Sequence, residues 1–195
     1  MATKTVKGTS LLLTLDLVRE RHGEDGLRAV FEALPREIRD QLPAQILPSQ
    51  PFPFAVWAEL LLTAEHLYGA SQSIARESAR KGYRRLFQTT YANWVRKGHP
   101  VEAVHLMPRL WDQVTKGLGE YEVEDSPEGP IVTVRLHVEE RYRVITEERV
   151  AGALEAMVAA CGAVGLVRIV RRRLKTEMLV VLPSGTGTNG RGEKG

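Results

Sequence analysis

The sequence predicts an α+β protein, with a helical N-terminal half packed on a small antiparallel sheet and a closing strand-strand-helix-strand-strand unit. Three observations predict it. Through the first half, apolar residues recur at spacings of three and four, as in Phe54, Trp57, Leu61, Ala64 and Leu67, which is the period of a helix with one buried face. In the last third the period shortens to two: Tyr121 and Val123 alternate with Glu120, Glu122 and Glu124, and Val132, Val134, Leu136 and Val138 alternate with Thr133, Arg135 and His137. A helical stretch at 146–160 then separates these strands from two more apolar runs, 164–174 and 178–183.

The elements follow in order. Ser10 is placed to cap a first helix whose Leu13, Leu17 and Val18 share a face, and His22-Gly23 ends it. Asp25 opens a second, short helix striped by Leu27, Val30, Phe31 and Leu34, closed by Pro35 before a turn at 36–42. Pro43, Pro48, Pro51 and Pro53 impose an extended crossing that Phe52 and Phe54 anchor to the core. After the Phe54–Leu67 stripe, Gly69 ends the helix. A long helix is expected over 72–97, with Ala75, Ala79, Tyr83, Leu86, Phe87, Thr90, Tyr91 and Trp94 on one face and Arg76, Arg80, Lys81, Arg84 and Arg85 mostly off it. Val104, Leu110, Trp111 and Val114 mark a helix over 101–116, which Pro108 bends or divides. Thr146 is placed to cap the 146–160 helix, with Glu147 and Glu148 in its first turn, and Val150, Leu154, Met157, Val158 and Cys161 cover the sheet. The last two strands make an antiparallel hairpin around Lys175-Thr176-Glu177. Residues 1–183 thus read as a single domain, and 184–195, with five glycines and no apolar side chain, as a disordered tail.

Composition narrows the functional classes. With 27 basic and 24 acidic residues the net charge is only +3, so nothing implies a nucleic-acid partner. The single cysteine, Cys161, excludes an internal disulfide and suits a reducing cytoplasm. No apolar run marks a signal peptide or is long enough to span a membrane, so a soluble cytoplasmic protein is expected. The five histidines show no ligand spacing and there is no Cys-x-x-Cys, so no metal is expected. Nucleophile and phosphate-loop motifs are missing too, and the glycines of 185–190 follow the last strand with no helix behind them. No catalytic residue emerges, and the chain does not read as an enzyme. The run Arg168, Arg171, Arg172, Arg173 and Lys175 fits a solvated edge strand, where positive charge discourages aggregation, better than a nucleic-acid surface. Trp57, Tyr83, Phe87, Tyr91, Trp94 and Trp111 are the candidates for the wall of an apolar ligand pocket, against the alternative that they are simply core.

A resemblance adds to this. The stretch from Val6-Lys7-Gly8-Thr9 to Leu34-Pro35, the Leu106-x-Pro108-x-Leu110-Trp111 motif and the closing unit resemble a family found as many paralogues in myxobacteria. More distantly, the same order of elements resembles the superfamily of haem nitric-oxide/oxygen-binding domains, four-vinyl-reductase-type domains and TRAPP transport-particle subunits. Members bind haem, apolar small molecules or protein partners, and many are dimers. For haem, the resemblance implies His105 as the axial ligand and Ile131-x-Thr133-x-Arg135 in place of a Tyr-x-Ser-x-Arg clamp; two of those three positions differ, so no haem or other cofactor is expected. The four-vinyl-reductase-type relatives carry cysteines near their ends, and 164–183 has none. Two readings remain. The first is a regulatory or sensor module binding a small apolar ligand between the long helix and the sheet, walled by Tyr83, Phe87 and Trp111. The second is a protein-interaction subunit, a homodimer or part of a larger assembly.

Overall fold

The computed structural model describes residues 4–171 and 176–182. The chain opens with β1 (Thr5–Lys7) and runs directly into α1 (Gly8–Ala33). Ser10 is therefore not a cap but a buried residue of the first turns. The two helices expected on either side of Gly23 form one element with a kink, because Gly23 takes φ 67°, which breaks the helical path without ending the helix. Asp25 accordingly caps nothing and instead pairs with Arg28 at 2.7 Å. A short α2 (Arg36–Arg39) follows Pro35. The proline-rich crossing is extended as expected, with Phe52 and Phe54 buried, and it contributes β2 (Pro51–Pro53). With β3 (Thr115–Lys116), these short strands form an antiparallel sheet of order β2-β1-β3, in which Val6 is paired with Phe52 on one side and Thr115 on the other.

Next come α3 (Phe54–Tyr68) and α4 (Ile74–Gln88). Ser73 caps α4 by accepting the Arg76 amide at 3.2 Å. The expected long helix over 72–97 is corrected at its C-terminal end: Thr89 leaves the helical region at φ −127°, ψ −89°, and Tyr91 and Trp94 fall in a turn around a 3₁₀ segment, Ala92–Trp94. Two adjacent β-branched threonines weaken the helix there, and the Tyr91 amide closes it on the Leu86 carbonyl at 2.8 Å. The stripe persists as ring packing, with Tyr83–Phe87, Phe87–Tyr91 and Tyr91–Trp94 centroids 6.2, 6.2 and 5.5 Å apart. The 101–116 helix is divided as Pro108 requires, into α5 (Pro100–His105) and α6 (Met107–Val114).

The second sheet comprises β4 (Gly119–Glu124), β5 (Ile131–Leu136), β6 (Leu166–Arg171) and β7 (Thr176–Val181), all antiparallel in the order β4-β5-β7-β6. Thr176 and Glu177 belong to β7 rather than to the hairpin turn; the 172–175 connection and the 184–195 tail lie outside the described residues. Between β5 and β6 runs α7 (Glu140–Ala160), which begins six residues before the expected start. Thr146 sits inside it, donating its hydroxyl to the Tyr142 carbonyl at 2.7 Å. The earlier start is a tertiary effect: Tyr142 packs edge-on against Phe54 and donates to Glu59 Oε1 at 2.5 Å, holding the first turns against α3. Almost every side of α7 is buried, because α4 packs along one side and β6 and β7 along another. At Gly152 the two helices meet so closely that a Cβ would collide with the Arg76 carbonyl oxygen.

Candidate functional site

The six aromatic candidates divide by depth. Trp57, Tyr83, Phe87 and Trp111 are at most 5% exposed and belong to the core, whereas Tyr91 and Trp94 are half-buried. Trp94 lies under the Arg109 guanidinium, 5.2 Å from ring centroid to Cζ. Because α7 packs along α4, the space behind α4 that the sequence reserves for a ligand is filled by α7 side chains.

An open groove exists on the other flank of α4. It has a volume of about 440 Å³, with Leu12 and Leu13 of α1 on one wall, Leu86 and Tyr91 on the other, and Pro48 of the crossing segment closing one side. Its position follows from the pattern of α1, which buries Leu11, Thr14, Leu15, Leu17 and Val18 and leaves Leu13 half-buried at the groove rather than in the main core. Lys7, Asp16 and Arg85 stand around it. Asp16 lies 3.8 Å from Arg19, while Lys7 and Arg85 have no ion-pair partner among the described residues. A cleft of this size with an apolar floor and a few charges at its rim can take a small amphipathic molecule. A second opening, of about 460 Å³, is lined by Arg19, Leu27, Arg28 and Phe31. Its arginines are engaged, Arg19 with Glu24 and Arg28 with Asp25, both at 2.7 Å.

The charged residues between the layers are committed to structure. Arg76 joins α4 to Glu155 at 2.6 Å, to Glu148 at 3.2 Å and to the Val167 carbonyl at 2.7 Å. Arg171 reaches back from β6 to Glu147 at 2.5 Å and Glu148 at 3.3 Å, and Glu147 also takes Arg143 at 3.1 Å and the Thr176 hydroxyl. Of the basic run, Arg171 thus fastens the β6 edge to α7, Arg168 is exposed, and Arg172, Arg173 and Lys175 lie outside the described residues. Cys161 is buried, and burial pushes its thiol pKa up, as expected of an inert core cysteine.

A polar cluster in the interior has no signal in the sequence. Arg149 of α7 is 3% exposed; its guanidinium donates to Ser78 Oγ at 3.4 Å and to the Ser10 carbonyl at 3.3 Å, and lies over the rings of Trp57 and Tyr83. Three sealed polar atoms among the described residues have no partner: Trp57 Nε1, Trp111 Nε1 and the Tyr121 hydroxyl. Trp111 and Tyr121 pack with centroids 4.6 Å apart. Burial raises the Tyr83 pKa and raises that of Tyr121 well above its ordinary value, so both hydroxyls stay neutral.

The residues do not fit haem. His105 is at the surface, its Nε2 3.0 Å from Asp125 Oδ1, and it lines neither opening. Arg135 is held on the wet face of β5 by Glu122 at 2.8 Å, and Ile131 has no hydroxyl to offer. Among the described residues, no group of three or more His, Cys, Asp or Glu side chains is arranged to hold a metal ion.

No family model matches the chain, and no curated protein matches its sequence. Solved structures share its architecture. An Fe(II) unliganded H-NOX protein from K. algicida superimposes with a TM-score of 0.67 at 10% identity, over 90% of this chain and 96% of that one. A point mutant of that protein gives 0.65 at 10% identity over 92% and 97%. An oxygen-binding H-NOX domain related to soluble guanylate cyclases gives 0.55 at 18% identity over 89% and 94%. The likeness reaches across both the helical half and the closing sheet, and the chain has the fold of the H-NOX domains.

Proposed function

We propose that this protein is a non-enzymatic regulatory or sensor module of the cytoplasm, and that its ligand is a small, largely apolar molecule held between α1 and α4. The observation that carries the reading is the groove of about 440 Å³ walled by Leu12 and Leu13 on one side and Leu86 and Tyr91 on the other. Tyr91 is the one aromatic candidate that lines it. Behind it, Phe87 and Tyr83 continue the row of rings inward to Arg149, whose guanidinium also lies over Trp57. Trp94 extends the row outward, and Trp111 belongs to the same aromatic interior through Tyr121. A ligand that favours one setting of α1 against α4 shifts the population of that setting, and the ring row couples the shift to α7 and the sheet. The H-NOX fold, used by a protein described as oxygen-binding, supports a sensing role, and the kinship to the myxobacterial paralogues is part of the same proposal.

The test is direct. Native mass spectrometry and organic extraction of purified protein are expected to show a retained small molecule, and Leu13→Arg is expected to abolish its retention while leaving the fold intact. Protein that emerges empty, and whose melting point no apolar probe raises, refutes the reading.

One observation favours a second reading, protein interaction as a homodimer. Val164, Leu166 and Val170 are 79%, 66% and 47% exposed on and beside the edge strand β6, with Val144 exposed as well. Sedimentation velocity at several concentrations is expected to show self-association that Leu166→Lys weakens; a monomer at every concentration rejects it.

A further inference from the structure

We propose that Arg149 is the centre of an internal binding site for a small monovalent anion, halide or carboxylate, where α1, α3, α4 and α7 meet. The argument begins with charge. A guanidinium keeps its proton in proteins, so burying it leaves a positive charge that something must balance. The half-buried arginines obey this rule in every described case: Arg21 faces Glu77, Arg76 faces Glu148 and Glu155, Arg135 faces Glu122, and Arg143 faces Glu140 and Glu147. Arg149, the deepest of them, has no carboxylate partner among the described residues. It makes two long hydrogen bonds, to a hydroxyl and to a carbonyl, has the neutral Tyr83 hydroxyl as a further polar neighbour, and rests on two aromatic faces 5.3 and 5.9 Å from its Cζ.

The surrounding acids are spent. Glu147, two residues away on α7, is held by Arg143, Arg171 and Thr176; Glu77 on α4 is held by Arg21 and Lys81; Glu59 on α3 is held by Arg141 and Tyr142. Tyr83 cannot supply the charge either, since burial keeps its hydroxyl neutral. An uncompensated buried charge is costly, and the folded state gains from any anion that can reach it.

The second observation is independent of charge. The Trp57 indole N–H is sealed from solvent and has no acceptor among the described residues, and its ring is one of the two against which Arg149 rests. A buried donor without an acceptor is rare in native interiors. The N–H points outward in the plane of the ring and the guanidinium lies over its face, so an anion at the Nε1 edge of Trp57, beside the guanidinium, would accept from both and satisfy both deficits with a single ligand. Two features set its size. Neither surface opening includes Arg149, and Trp57, Tyr83, Ser78 and Ser10 around it are at most 3% exposed, so the ligand has few atoms. The site is separate from the groove between α1 and α4, and the two proposals stand or fall independently.

The experiment is a thermal melt of the full chain at constant ionic strength and pH, with sodium chloride or sodium formate replacing sodium gluconate, whose anion is too large to enter. Chloride or formate is expected to raise the midpoint by about 2–4 °C in a saturable way, and the stronger of the two identifies the anion as halide or carboxylate. Arg149→Met is expected to remove the response and Trp57→Phe to weaken it. Identical midpoints in all three salts, a response that never saturates, or one that survives Arg149→Met overturns the proposal. Should Arg149→Met not fold, crystals of the unaltered protein soaked in bromide decide: an anomalous peak beside Arg149 is expected, and ordered bromide elsewhere with none there rejects the site.

Discussion

A methyl group on residue 152 has nowhere to go, because the Arg76 carbonyl and the Ala79 side chain of α4 already occupy its place. Gly152→Ala is therefore expected to force α4 and α7 apart and to cost about 1–3 kcal/mol, read as a lower urea midpoint at unchanged slope. An unchanged midpoint would mean that the helices cross less closely than described. Gly23 offers the converse case. Nothing lies within 4 Å of the position its Cβ would take, yet its φ of 67° disfavours any other residue. Because φ 67° is combined with ψ −166°, Gly23 lies in a region that only glycine adopts freely, and Gly23→Ala and Gly23→Asn should each cost about 1–3 kcal/mol through the backbone alone. If both leave the urea midpoint unchanged, the kink is not what the glycine serves. The sequence shows both residues, but only one announces its role: Gly23 follows a readable apolar stripe, whereas the reason for Gly152 lies on a helix more than seventy residues away.

At the scale of elements, periodicity is enough to place α3, the division of α5 from α6, and the antiparallel pairs β4–β5 and β6–β7. What it misses has a common cause. The start of α7 carries Glu140, Arg141 and Arg143, which look like a polar loop until the partners are known: Arg141 bonds Glu59 at 2.7 Å and Arg143 bonds Glu147 at 3.1 Å. The small β2-β1-β3 sheet is equally silent, since strands of two or three residues have no period to detect. The groove is hidden because its walls come from α1, α4 and the proline-rich crossing, with only the half-buried Leu13 as a signal. The ring row along α4 is visible as a stripe, and it yields a test of coupling between elements. Phe87→Ala removes the ring between Tyr83 and Tyr91, and should cost about 3–5 kcal/mol while uncoupling the groove from Arg149. In a double-mutant cycle, Tyr91→Ala and Arg149→Met are expected to couple in the unaltered chain and to become additive in the Phe87→Ala background. Additivity in both backgrounds removes the row as a route between sites.

For the whole molecule, the sealed interior sets how stability depends on pH. Tyr83, Tyr91, Tyr121 and Tyr142 all have raised pKa values with burial as the largest cause, and the Tyr142 hydroxyl is also held by Glu59. A raised folded-state value means that their neutral forms stabilise the fold in full below pH 10, the ordinary value, and that this stability drains away as pH rises above it. Absorbance at 295 nm is expected to show the phenols of Tyr83, Tyr121 and Tyr142 ionising only as the chain unfolds, whereas Tyr91 lies half-buried at the groove; ionisation of all three near pH 10 in the folded protein would show that their rings are not sealed. The same sealed interior bears on haem. A fold shared with H-NOX domains predicts a haem pocket by analogy alone, but function resides in the site, and here the histidine in question faces solvent beside Asp125, while Arg149 of α7 packs against Tyr83 of α4. Titration with haemin under reducing conditions is thus expected to leave the spectrum of free or loosely bound haem. A sharp Soret band that forms at one equivalent and is lost in His105→Ala would show that the helices open to admit the group, and would return the protein to the haem-binding branch of its fold.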